Sequence, residues 1–143
     1  MDKMSQDMIF KSLTGYPDQA IVTVPDLADA VTLTAAVGGL WANGYGAAAS
    51  ILAAVSNTTR KRIKGIMVSA PSAADEFQIQ ILSDTTSKAQ VPVVIDTATG
   101  TGVFIPFPHP VFIEAGAVIY GKVACKGAVQ RTIKVKLVAV EVP

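Results

Sequence analysis

His109 is the only histidine, and any hydrolytic triad built on an imidazole base would have to use it. It stands between Pro108 and Pro110, and no Gly-x-Ser-x-Gly turn exists to present a serine to it. Proline on both sides stiffens the segment and could present the ring to a partner, although a half-exposed loop histidine is the plainer reading. One histidine and one cysteine, Cys125, exclude a two-histidine metal motif, a cysteine cage and an intrachain disulfide. Cys125, flanked by apolar residues and Lys126, reads as a small strand residue rather than a reactive thiol.

The carboxylates are Asp2, Asp7, Asp18, Asp26, Asp29, Asp75, Glu76, Asp84, Asp96, Glu114 and Glu141. Most fall at strand ends or turns, where aspartate is a turn former. Asp26 and Asp29 could lend oxygens to Ca²⁺, but no D-x-D-x-D-G pattern surrounds them, and turn formation explains them better. A glycosidase pair can come from distant strands, and nothing in the sequence points to one. TATGTG and ANGYG lack the spacing of a dinucleotide or phosphate loop and read as turns. Within the second, Asn43-Gly44 is the signal of a type I′ hairpin. No cofactor site emerges, and the expectation is that the chain is not an enzyme.

Binding residues are easier to nominate. Trp41 and Tyr45 in GGLWANGYG sit at an expected loop tip, where aromatic rings stack on sugars or anchor in a partner's pocket. The competing reading has Trp41 folding back to cap one end of the core. RKRIK (60–64) is the one dense basic run and could meet phosphate or an acidic protein surface. At period two, Arg60, Arg62 and Lys64 share a face while Lys61 and Ile63 take the other, which suits a solvated edge or strand start.

These residues must be held by short β-branched runs, each ended by Gly, Pro, Asn, Asp or Ser. The runs are 20–24, 29–37, 61–70, 75–84, 91–96, 102–107, 117–126 and 131–142. In 75–84, Phe77, Ile79 and Ile81 alternate with Gln78 and Gln80. Pro92 suits an edge strand or a strand start, and Pro106, Pro108 and Pro110 forbid regular ladder pairing. In 131–142 the apolar face changes phase after Leu137, which implies a bulge or burial of both faces. AAASILAAV (47–55) fits a core strand, though its alanines also favour helix. Eight or nine strands at this spacing, without amphipathic helices between them, predict an all-β sandwich or barrel.

The chain has 143 residues, half of them hydrophobic and 16% charged, which suits one domain with a sizeable core. A net charge of +1 argues against a dedicated nucleic-acid binder. Residues 30–59 carry no charge, but Gly38, Gly39, Asn43, Gly44 and Gly46 break them, so two buried segments are expected rather than a membrane span. The first residues hold Asp2, Lys3, Asp7 and Lys11 and no apolar run of signal-peptide length, which predicts synthesis and folding in the cytoplasm. They suit a short helix or an extended arm.

Residues 63–84 give an apolar strand, a small-residue turn and an alternating strand. FPHPVFIEAG, a further apolar strand and a terminal TIKVKL strand follow. This cadence, over roughly residues 60–142, resembles the small jelly-roll structural proteins of tailed-phage particles, including capsid decoration (cement) proteins and some tail or baseplate parts. The resemblance implies an antiparallel jelly-roll sandwich of about eight strands (17–143) with an N-terminal arm (1–16). It also implies a place on the virion surface, with the major capsid protein and further copies of the chain, as dimer or trimer, for partners. Contacts are then expected from the arm, with Met8, Phe10 and Tyr16, and from the loops carrying Trp41, Tyr45 and His109. A carbohydrate- or receptor-binding sandwich using Trp41 and Tyr45 is the alternative from a different class.

Overall fold

The computed structural model describes residues 21–26, 29–96 and 102–142. The arm with Met8, Phe10 and Tyr16, and most of the TATGTG turn, lie outside the described residues.

Among the described residues nine strands form: β1 (Ile21–Val24), β2 (Val31–Thr34), β3 (Ala49–Leu52), β4 (Arg60–Ser69), β5 (Asp75–Ser83), β6 (Thr86–Ile95), β7 (Val103–Ile113), β8 (Ile119–Cys125) and β9 (Thr132–Val142). Period-two alternation does the sorting. Phe77, Ile79 and Ile81 of β5 point into the core, while Gln78 and Gln80 face outward, half-buried.

Every pairing is antiparallel. One sheet runs β1-β9-β4-β7, with β2 also on β9; the other runs β3-β8-β5-β6. β1 and β2 lie end to end along β9, covering residues 137–140 and 132–135 respectively. With β1 set aside, β2-β9-β4-β7 over β3-β8-β5-β6 is the strand order of a jelly roll. The sandwich expected from the sequence is therefore present. Its core is aliphatic around one aromatic: Leu33, Ile63, Ile66, Phe77, Ile119 and Leu137 are all enclosed. Each such side chain contributes about 1.5–3 kcal/mol relative to exposure.

Several local expectations need correction. RKRIK is the strand start of the two readings and not a solvated edge, since β4 begins at Arg60 and lies between β9 and β7. Lys61 is only 5% exposed, because its register opposite Ile113 and Glu141 turns it to the inner side of the sheet. Its ammonium donates to Asn57 Oδ1 at 2.9 Å and to Thr59 O and Oγ1, both at 3.2 Å. Asn57, also buried, donates from Nδ2 to Glu114 O and Ala117 O at 3.0 and 2.9 Å. Three polar neighbours thus let a lysine stem fill apolar space without stranding its charge.

Asn43-Gly44 does not form a type I′ hairpin. Residues Trp41–Asn43 make one 3-10 turn, and Asn43 Nδ2 donates back to Gly39 O at 2.7 Å. Within the 29–37 run the strand covers Val31–Thr34, with one further bond from Ala35 N–H to Arg131 O at 2.9 Å, before the chain turns at Gly38 and Gly39, both with positive φ, and leaves Val37 in solvent. Within 47–55 the strand covers Ala49–Leu52, and a 3-10 turn at Ala54–Ser56 follows. Among the described residues no helix is long and apolar enough to cross a membrane.

In β9, Ile133, Val135, Leu137 and Ala139 keep to the inner face. Of the two expected alternatives the structure has burial of both faces: Val138 and Val140 make the outer face apolar as well, with Val140 fully buried. The bulge belongs to β4, where Lys64 is the extra residue between Ile63 and Gly65. On β7 the prolines break the ladder as expected. Pairing runs to Pro106 and resumes at Val111, with residues 107–110 opposite Lys64. β6 is an edge strand, as Pro92 suggested, although it begins earlier, at Thr86.

Candidate functional site

The β4 bulge decides what the outer face of the β1–β7 sheet presents. Upstream of it, Arg62 faces outward opposite Phe112 and Val140. Downstream, the shifted phase turns Ile66 and Val68 inward and Met67 outward, between Phe104 and Lys136. Met67 and Phe104 are thus neighbouring apolar side chains left 40% and 50% exposed. The Phe104 ring lies over Gly65, which has no side chain to displace it.

Cations surround this pair. Lys136 flanks Met67, Lys134 lies one row further along β9, and Arg62 and Lys64 occupy β4. β4 and β7 contain no carboxylate, and Glu141 of β9 pairs across from Lys61 on the other side of the sheet. At the rim, Glu114 is held by Arg60 at 2.8 Å, and the Arg60 guanidinium stacks 4.4 Å from the Phe112 ring centre. Partial burial lowers the Lys64 pKa from its ordinary value, and the Arg62 charge lowers it further.

His109 lies at the side of the same sheet, exposed in the proline bulge of β7. It borders a hollow of about 340 Å³ shared with Arg62 and Lys64. It also borders a more apolar groove of about 400 Å³, where Val91 and Pro92 of β6 face Ile105 and Phe107 of β7. Trp41 and Tyr45 are elsewhere, on the opposite sheet, beside Gln78 and Ala124. The structure therefore brings His109 to the basic face and keeps the aromatic pair apart from it. Trp41 is 43% exposed and is not among the described residues packed on the core.

Met67 and Phe104 were not singled out by sequence reasoning. Period-two counting from Arg60 puts Met67 on the face opposite Arg62, and only the bulge reverses that. Among the described residues no group of three or more His, Cys, Asp or Glu side chains could hold a metal ion. Cys125 is buried beside the carbonyls of Gly127 and Val129, and burial raises its thiol pKa.

No protein-family model matches the chain, and no curated protein matches it. Among solved structures, 87% of the chain aligns with infectious bursal disease virus, Gx strain, at 16% identity and a TM-score of 0.41, over 32% of that chain. The same share aligns with the VP2 subviral particle of infectious bursal disease virus at 15% identity and a TM-score of 0.42, over 33% of that chain. The chain spans about a third of the length of either.

Proposed function

We propose that this chain is a virion structural protein of the capsid decoration, or cement, kind, and that it docks through the outer face of the β1–β7 sheet. The observation that carries the reading is the Met67–Phe104 pair, half-exposed at the centre of a face lined by Arg62, Lys64, Lys134 and Lys136. Apolar groups at the middle of a polar rim are the anatomy of a protein interface. Three lysines, Lys64, Lys134 and Lys136, on strand faces where β4 and β7 carry no carboxylate, favour an acidic surface on the partner and speed its encounter. The strand cadence that resembles phage decoration proteins, and the jelly-roll strand order, agree with this use, although a fold by itself sets no function.

The mechanism is thermodynamic. A protein that binds the assembled lattice of the major capsid protein, and not its free subunits, stabilises the lattice by mass action. Copies of the chain joined as a dimer or trimer bridge neighbouring subunits and gain from effective concentration. On this reading the chain belongs on the virion surface.

Co-sedimentation with assembled capsids lacking the chain, against free major capsid protein, tests it. Retention on capsids alone, weakened by salt and by Phe104→Glu, is the expected result. Equal binding to both forms, or none to capsids, overturns the proposal.

A further inference from the structure

The loop that carries Trp41 is fixed to the sandwich rather than hung from it. Leu40 N–H donates to Gly127 O at 2.9 Å, and Gly46 N–H donates to Val123 O at 3.0 Å. Gly39 and Gly46 press so closely on Gly127 O and Thr34 O that neither position has room for a Cβ. Leu40 itself is held at a φ of 59°, a conformation that non-glycine residues rarely adopt. This clamped, strained backbone leads directly into the chain's one tryptophan, which is left 43% exposed.

Beside Trp41 is a shallow hollow of about 320 Å³, walled by Gly44 and Tyr45 and floored by Gln78 and Ala124. That is near the lower end of small-ligand pockets, about 300–1,000 Å³. Space around Gly44 is open, so the mouth is unobstructed. The floor continues as a sheet surface of amides. Gln78 Nε2 donates to Gln90 Oε1 at 3.0 Å, and Gln80 is the direct cross-strand neighbour of Gln90. Tyr45 Oη, buried beside the hollow, has no hydrogen-bond partner among the described residues.

An indole plane beside paired carboxamides, with no charged group in the lining, suits a ligand with one apolar face and a rim of neutral hydroxyls. We propose that this hollow is a binding site for neutral pyranose sugars, which stack a C–H face on Trp41 and hydrogen-bond to the Gln78 amide. The site lies on the opposite sheet from the basic docking face and does not depend on the capsid reading. A preordered platform loses little conformational freedom on binding, which lets a shallow site hold a small ligand.

The test titrates the full chain with neutral gluco-, galacto- and manno-oligosaccharides at millimolar concentration. Trp41 fluorescence is the readout, since no other tryptophan contributes. The expected result is a saturable change for at least one sugar. Gln78→Ala should then weaken binding about five- to tenfold, the scale of one neutral hydrogen bond. Trp41→Ala, followed by calorimetry, should abolish binding with the circular-dichroism spectrum unchanged. No saturable response to any of these sugars overturns the proposal. So does a response that Gln78→Ala leaves intact.

Discussion

The ring of Phe104 occupies the space that a side chain on Gly65 would need. A Cβ built on Gly65 would stand 2.7 Å from Phe104 Cζ and 2.5 Å from Ile105 O. One glycine in the middle of a ten-residue strand therefore sets how the aromatic residue of the basic face is presented.

Gly65→Ala should lift that ring and strain the β4–β7 ladder, costing about 1–3 kcal/mol as overpacking does. Thermal unfolding measures the loss. Phe104→Ala in the same background should recover only part of it, because the Ile105 carbonyl remains in the way.

Asn57→Ala should be among the more damaging single changes. It strands the Lys61 ammonium and frees two carbonyls, Glu114 O and Ala117 O. Each buried group left unpaired costs about 1–3 kcal/mol. Denaturant titration should show a lower midpoint, and Asn57→Ala with Lys61→Met should be more stable than Asn57→Ala alone.

The pKa of Lys61 is lowered by burial, with Glu141 opposing the shift. Between the folded pKa and the higher unfolded value, the unfolded chain binds more protons than the folded one. Stability from this group therefore rises with pH across that alkaline window. Unfolding free energy followed over alkaline pH should show a steeper upward contribution in the native protein than in Lys61→Met. Parallel curves would refute the assignment.

Cys125 should resist iodoacetamide in the folded protein, being buried with its thiol pKa raised. Mass spectrometry should show alkylation only as denaturant opens β8. Rapid labelling of the native protein would contradict this burial.

The prolines of β7 serve edge protection. Pro106, Pro108 and Pro110 supply no N–H to an incoming strand, and among the described residues β7 is the last strand of its sheet. Replacing all three with threonine should leave the core intact and raise light scattering at high protein concentration.

The alternating strands were legible because Phe77, Ile79 and Ile81, or Ile133, Val135 and Leu137, need one buried face and nothing else. The arrangement of the docking face was not. It depends on the Lys64 bulge, which reverses the phase of β4 without a residue pattern to announce it. Lys61 misled for a related reason: charge implies solvent until a partner such as Asn57, in a preceding turn, supplies an acceptor. The Trp41 loop was found as a binding candidate from residue type alone. Its clamping by Gly39 and Gly46 is a tertiary fact, decided by Gly127 O and Thr34 O from other elements.

β9 is the strand on which β1, β2 and one side of β4 all depend. It is also the last of the nine to leave the ribosome. Until residues 132–142 emerge, β1 and β2 have no neighbour to pair with, and β4 is open along one flank. Closure of that sheet is then a late event joining distant parts of the chain, the kind that slows folding. A nascent chain cut short before residue 132 would leave β1 and β2 unpaired and β4 open along one flank, so this eleven-residue strand is the one the sheet waits for.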